Sequence, residues 1–356
     1  KDVKPRHGPG VVSDNPEGKF KYNFPFWTPE LEKEFPFADW GVHSYDSNLV
    51  NGIPVHGPQE AHAPSRLIAV PKTQKGPRLI AAEPTCNQWM QQGVANAIRE
   101  WVKTDDWLRL TISFRDQGPS RSAALLGSTT GRTATLDLSS ASDRLSCSVV
   151  ERVFRRNLSL LRMLVATRTR FLSSHRLAKR LGSDSHARLI KLRKFASMGS
   201  ALTFPVQSLV FAILAVGVGY HRLDGCFHPS GRRPAPTTER ARIQTLFSQV
   251  RVYGDDIICP VDWVPDLVKV LTALGLKVNS SKSFFHGFFR ESCGLDAFKG
   301  HDVTPIRIRP LSPALNSRAS LGWVDTVNNL WLKGNWRLSS YLERTAPWSR
   351  KIPVVS

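Results

Sequence analysis

Acidic residues are scarce in this sequence. Its 356 residues carry 49 Lys or Arg against 29 Asp or Glu, a formal net charge of +20. An imbalance of that size costs self-repulsion and is suited to a polyanion or an anionic membrane surface. Cysteine is scarce as well: five residues, at 86, 147, 226, 259 and 293, with no Cys-x-x-Cys pair. An odd, scattered set excludes a disulfide framework and a zinc module, and fits a reducing compartment. Cys226 and His228 alone are too few to hold a metal. There is no internal repeat and no low-complexity tract. No leader-like segment opens the chain, which starts at Lys1 rather than Met, so a fragment or a trimmed product is expected. One run tests the membrane alternative. Residues 201–220 are twenty positions without a charge, about the span of a bilayer core. Pro205, Gln207, Ser208 and two glycines interrupt the run, so a buried core helix is expected.

What the sequence does contain centres on Tyr253-Gly254-Asp255-Asp256, flanked by the apolar runs Val250–Tyr253 and Ile257–Cys259. This pattern predicts two short strands joined by a Gly254-Asp255 hairpin turn. Neighbouring carboxylates repel one another unless a cation holds them, and hard divalent ions take oxygen ligands. A solvated turn is the plain alternative.

Other stretches supply further parts. Residues 66–84 form two apolar runs, 67–70 and 79–82, around Lys72, Lys75 and Arg78, with Arg66 just before them. This is a β-hairpin with a basic tip, suited to a triphosphate. A helix is expected over Glu83 to Glu100, and a short one over Glu30 to Phe35 within an otherwise loop-like region 1–64 that must pack onto something else. Thr133–Leu138 reads as a strand ending on Asp137, in the run Asp137-Leu138-Ser139-Ser140-Ala141-Ser142-Asp143-Arg144. Leu145, Val149, Val150, Val153, Phe154 and Leu158 then recur at helical spacing, with a serine of that run or Asp143 as the expected cap. Residues 151–194 hold thirteen Lys or Arg and two acids. A merely solvated face would mix signs, so a phosphate-tracking surface is expected.

Ser197-Met198-Gly199-Ser200-Ala201-Leu202-Thr203 is a small-residue loop feeding the apolar helix, where Gly199 allows close backbone approach. Thr203 and Gln207, four apart, share a helical face and need polar partners. Residues 221–242 read as a connector, 264–274 as a helix ended by Gly275, and 313–332 as another helix. A strand ending in one acid and a hairpin tipped by two could together hold two divalent ions, the clamp used for in-line phosphoryl displacement.

In that order these motifs resemble the signature of viral RNA-dependent RNA polymerases. Asp137 is similar to motif A, Met198-Gly199-x-x-x-Thr203 to motif B, and Tyr253-Gly254-Asp255-Asp256 to motif C. Lys282 with its neighbours is similar to motif D, and Pro71–Arg78 to the basic motif F. Asp-Leu-Ser-Ser-Ala-Ser-Asp-Arg, Phe289-Arg290-Glu291-Ser292-Cys293-Gly294, Asp302-Val303-Thr304-Pro305 and Arg6-His7-Gly8-Pro9-Gly10 resemble the replicase catalytic subunit of single-stranded RNA bacteriophages, the levivirus group.

The resemblance implies an α+β right hand of palm, fingers and thumb, with an antiparallel palm sheet backed by helices. It divides the chain into 1–130 (N-terminal region and fingers, including hairpin 66–84), 131–150 (palm, motif A) and 151–194 (basic fingers). The remainder would be 195–298 (palm, motifs B, C, D and the following strand) and 299–356 (thumb-proximal). It implies RNA-templated RNA synthesis that replicates a phage genome, with a reverse transcriptase and a non-catalytic basic RNA-binding protein as the competing readings.

By residue, it implies that Asp137 and Asp255 bind two Mg²⁺ ions, for which Mn²⁺ can substitute, and that Asp256 assists. Lys72, Lys75 and Arg78 would meet the incoming ribonucleoside triphosphate. Ser197, Gly199 and Thr203 would lie near the template and the nascent base pair. Lys282 would donate a proton to pyrophosphate, with Lys277 competing. The family's usual second acid falls at Ser142 rather than Asp143, and Gln207 stands where Asn is common, so the group sensing the ribose 2′-OH is open among Ser142, Asp143 and Gln207. Implied partners are template and product RNA, host elongation factors Tu and Ts and a host ribosomal protein, with no membrane. The implied location is the cytoplasm of the infected bacterium. The chain is short for that family, so residues before 1 or beyond 356 are expected.

Overall fold

A computed structural model of the chain describes residues 3–14, 21–22, 24–42, 63–73, 76–174, 189–225, 236–309, 311 and 317–346. Two compact units emerge, Lys1–His301 and Asp302–Ser356. The first contains, in order, α1 (Pro29–Glu34), α2 (Phe37–Trp40), β1 (Ser65–Thr73), β2 (Gly76–Ala82), α3 (Thr85–Thr104), α4 (Leu108–Thr111), α5 (Gly118–Thr130) and β3 (Thr133–Asp137). There follow α6 (Ala141–Arg144), α7 (Cys147–Phe154), α8 (Leu158–Ala166), β4 (Phe171–Ser173), β5 (Ile190–Lys191), α9 (Thr203–Gly225), α10 (Pro236–Ser248) and β6 (Arg251–Tyr253). It closes with β7 (Asp256–Pro260), α11 (Val264–Ala273), β8 (Phe289–Ser292) and β9 (Leu295–Phe298). The second unit holds α12 (Ser317–Leu332) and α13 (Trp336–Thr345), joined by a bond from Ser339 Oγ to the Val327 carbonyl at 2.9 Å.

The architecture is α+β, and its central sheet is antiparallel, in the order β3-β7-β6. Ala134, Leu136, Ile257, Ile258 and Cys259 are all buried. Strands covered on both faces read as near-continuous apolar runs. The acids fall at the strand ends, where the sheet meets solvent. The second edge of β3 is covered by residues 277–284, not by a regular strand. Asn279 N–H donates to the Asp137 carbonyl at 2.8 Å, and Phe284 N–H to that of Thr135 at 2.7 Å.

Behind this sheet lies α9. Val206, Leu209, Val210, Phe211, Ala212 and Ala215 are completely buried, and burying each large side chain stabilises by about 1.5–3 kcal/mol. Its stretch Thr203–Leu223 is long and apolar enough to cross a bilayer, but 72% of the most apolar window is covered by protein. It is a core helix, as its Pro, Gln and Ser interruptions suggested. The same core takes in Phe24, Trp27, Leu31 and Phe35, so the loop-like N-terminal stretch does pack onto the rest.

A second sheet, in the order β2-β1-β4-β5, carries the basic hairpin. Its strands β1 and β2 are antiparallel from Arg66↔Ala82 to Thr73↔Gly76. Next, α3 begins at Thr85 rather than Glu83, because the Asp14 carboxylate accepts from Thr85 N–H at 3.1 Å and caps the helix from outside.

Two expectations are corrected. The helix after Asp137 is not capped by a serine of residues 139–142 or by Asp143. Ser146 caps α7 by accepting from Val149 N–H, and Asn157 caps a separate α8 by accepting from Leu160 N–H. Each side-chain oxygen satisfies an amide that an uninterrupted helix would have bonded otherwise, so the apolar periodicity spans two helices. The connector 221–242 is also helical at both ends, in α9 and α10, with 226–235 outside the described residues. Pro236 starts α10 with its preset φ, and Glu239 sits in the first turn.

Candidate active site

The site forms where three chain segments end together. In β3 and β7, Asp137 is the register partner of Asp256. In the β6–β7 hairpin, Tyr253 pairs with Asp256, which leaves Gly254 and Asp255 as a two-residue turn. Gly254 sits at φ +66°, and a Cβ there would lie 2.7 Å from the Phe204 ring. Its N–H donates to Ser208 Oγ at 3.0 Å. Thus the turn is seated on the first turns of α9, which brings all three acids to one end of the sheet.

Electrostatics register this closeness. Burial pushes Asp256 up to about 6, and the charges of Asp255 and Asp137 add to the rise. Asp255 is exposed at the tip, yet desolvation raises it too, opposed by Arg78 and Lys282 and reinforced by Asp137. Solvent at the tip screens that push. None of the three acids has a described cation in salt-bridge contact; Arg78 and Lys282 act from a distance. Two acids have neutral donors instead. Asn279 Nδ2 donates to Asp137 Oδ2 at 2.7 Å, and Cys293 N–H donates to Asp256 Oδ2 at 2.9 Å.

Carboxylate oxygens are the donors that a hard divalent cation takes. Among the described residues no three His, Cys, Asp or Glu side chains are grouped closely enough to hold a metal ion by themselves. Mg²⁺ ordinarily keeps waters and binds through one or two carboxylates plus substrate phosphates, so it needs no complete protein cage.

A groove of about 680 Å³ opens at Asp255 and is lined by Arg78, Leu79, Ser142, Asp143, Gly199, Thr203 and Gln207. Its size is that of a small-molecule site. Gly199, at φ +122°, lies so close to β2 that a Cβ would come within 2.1 Å of the Ala81 carbonyl oxygen. Ala81 N–H donates to the Met198 carbonyl at 2.7 Å, which locks the basic hairpin onto this loop.

The remaining candidates divide by their partners. Thr203 Oγ1 is committed to the Ser197 carbonyl at 2.7 Å, so its hydroxyl shapes the loop. Asp143 is held by Lys194 Nζ at 2.5 Å. Ser142 is buried in the groove wall. Gln207 Oε1 and Ser197 Oγ are buried without a hydrogen-bond partner, a costly state for a polar atom. Lys282 lies in a 3₁₀ turn, Ser280–Lys282, and its charge reaches Asp255. Lys72 lies on β1, and Lys75 falls outside the described residues. Asn279, Cys293 and Lys194 were not singled out as site residues, although Asn279 neighbours Lys282, Cys293 lies in the Phe289–Gly294 motif and Lys194 ends the basic segment 151–194.

The family model described as RNA replicase, beta-chain, matches residues 55–224 and 241–320. The RNA-directed RNA polymerase subunit beta of Qbeta virus (strain MX1) is 36% identical over 252 residues, covering 70% of this chain and 36% of that protein. The corresponding subunit of Enterobacteria phage SP is 33% identical over 301 residues, covering 78% and 45%. The RNA-directed RNA polymerase beta chain of Escherichia phage MS2 is 30% identical over 243 residues, covering 68% and 37%. The chain therefore spans less than half the length of these curated relatives.

Proposed function

The chain belongs to the RNA replicase beta-chain family, and from that premise we propose that it carries the catalytic centre of an RNA-templated RNA polymerase that copies a single-stranded RNA phage genome. The observation that carries this reading is the register pairing of Asp137 with Asp256 beside the two-residue turn bearing Asp255. Asp255 thereby lines a groove that also contains Arg78, with Asp137 and Asp256 paired at the same end of the sheet.

In this reading Asp137 and Asp255, assisted by Asp256, hold two Mg²⁺ ions, which when bound would acidify the attacking 3′-hydroxyl and neutralise the leaving pyrophosphate. Arg78, with Lys72 and Lys75 on the same hairpin, meets the triphosphate. Lys282 delivers the proton to pyrophosphate, and its electrostatic link to Asp255 favours it over Lys277. For the ribose 2′-OH, Asp143 is already engaged by Lys194. Gln207 has a free buried oxygen at the groove, and buried Ser142 lines the same groove, so these two are assigned as the sensor. Ser197, Gly199 and Thr203 shape the wall beside the nascent base pair.

Residues 131–150 and 195–298 then form the palm, 1–130 and 151–194 the fingers, and 299–356 the start of the thumb. The relatives are named as beta subunits or chains. By kinship we extend to this chain an assembly with host elongation factors Tu and Ts and a host ribosomal protein, in the cytoplasm of the infected bacterium. Primer extension on an RNA template with labelled rNTPs tests the proposal. Mg²⁺-dependent product made from rNTPs in preference to dNTPs is expected. RNA binding with no product would leave only a basic RNA-binding protein, and preference for dNTPs would indicate a reverse transcriptase.

A further inference from the structure

We propose that the turn between β8 and β9 is a positioning element for the third carboxylate: the backbone N–H of Cys293 fixes one oxygen of Asp256 and so presents the other to a divalent cation. This role presupposes the cation-binding function proposed above and adds residues to it.

Ser292 pairs with Leu295, so Cys293 and Gly294 are a two-residue turn. Their φ values, +50° and +74°, are those of a type I′ hairpin. Such a conformation is uncommon for a residue other than glycine. In a two-residue hairpin the N–H of the first turn residue takes no part in the ladder. Here it donates to Asp256 Oδ2 at 2.9 Å, and Ser292 Oγ lies 3.5 Å from the same oxygen. The Cys293 side chain is hydrogen-bonded to the same carboxylate.

The hairpin is also bolted to the strand bearing the first acid. Arg290 is completely buried. Its guanidinium donates to the carbonyls of Gly131, at 3.3 Å, and Thr133 at the start of β3. It also braces its own approach through Gly287 at 3.0 Å and Phe289 at 2.6 Å. One residue on, Glu291 N–H donates to Thr135 Oγ1 at 3.2 Å. Asp137 ends that same strand. A chain of main-chain and buried contacts therefore fixes Asp256 relative to Asp137 before any cation arrives. Anchoring of this kind allows two like charges to be held side by side, and loss of such an outer contact typically weakens metal binding about 10–100-fold.

Mn²⁺ titration of the full chain, followed by electron paramagnetic resonance of the free ion, tests the proposal. Cys293→Val places a β-branched residue where φ is positive and displaces the amide, so Mn²⁺ binding should weaken at least about tenfold. Cys293→Gly keeps both the amide and the turn and should restore the affinity. Unchanged affinity in Cys293→Val overturns the positioning role alone. Absence of Mn²⁺ binding by the unsubstituted chain overturns the cation-binding reading and this role with it. Hydrogen exchange gives a second arm that does not depend on folding of the valine variant. In Asp256→Ala the Cys293 amide should exchange at least about tenfold faster while the β8–β9 ladder amides keep their rates. An unchanged Cys293 amide overturns the proposal.

Discussion

Asn279 grips Asp137 twice: its side-chain amide donates to Oδ2 at 2.7 Å, and its backbone N–H donates to the carbonyl of the same residue at 2.8 Å. The two residues are 142 positions apart, and the contact aligns the first acid from the edge of β3 opposite β7. Asn279→Ala removes the side-chain donor and leaves the backbone bond. The predicted outcome is a fall in nucleotide incorporation of about 10–100-fold, with RNA affinity unchanged in a filter-binding assay. Unaltered incorporation would remove Asn279 from the site.

Gln207 is the residue whose chemistry and fold pull in opposite directions. Its buried Oε1 has no partner, and replacing an unsatisfied polar group by an apolar one of similar shape is near neutral or stabilising. Gln207→Leu should therefore unfold in urea at the same or a higher midpoint. Its discrimination between rNTP and dNTP should nevertheless fall, seen as a rise in KM for the ribonucleotide. Intact discrimination would leave Ser142 as the sensor.

Glu83 gives a pH prediction away from the chemistry. It is fully buried and accepts from Thr169 Oγ1 and from Gln91 Nε2, the latter at 3.1 Å. Burial raises its pKa above the ordinary 4.5. The folded state therefore keeps the proton to higher pH than the unfolded chain, and stability falls as pH rises from 4.5 through the raised value. Glu83→Gln mimics the protonated form. Its melting temperature should exceed that of the unsubstituted chain at pH 8, with the gap closing toward pH 4.5. A constant gap would contradict the assignment.

Gly199 is predicted to be irreplaceable. An alanine there would place Cβ 2.1 Å from the Ala81 carbonyl oxygen, at φ +122°. Backbone strain and overpacking each cost about 1–3 kcal/mol, so Gly199→Ala should lower unfolding stability by at least about 2 kcal/mol in urea. A smaller loss would mean that the basic hairpin is not locked to the loop.

Much of this was legible in the sequence because it is local. Tyr253-Gly254-Asp255-Asp256 declares its own turn, Gly199 its own close approach, and residues 66–84 their own hairpin. What was hidden depends on choices between distant partners. Nothing near Asp143 shows that Lys194, 51 residues later, would take its carboxylate, and nothing near Asp256 shows that the Cys293 amide would reach it. The helix break at Ser146 was missed for a related reason. Apolar periodicity reports which face is buried, and two successive helices packed on one core preserve it across their junction. Pro236 likewise looked like loop composition, although the same residue is favoured at a helix start.

The central claim is that Asp137, Asp255 and Asp256 act together on a divalent cation to join nucleotides. The most direct measurement is Mg²⁺-dependent extension of an RNA primer by Asp255→Asn beside the unsubstituted chain, with RNA affinity measured on the same preparations. The account predicts that extension falls below detection while affinity is retained, because a carboxylate is lost and the basic surface is not. Full extension by Asp255→Asn would contradict it.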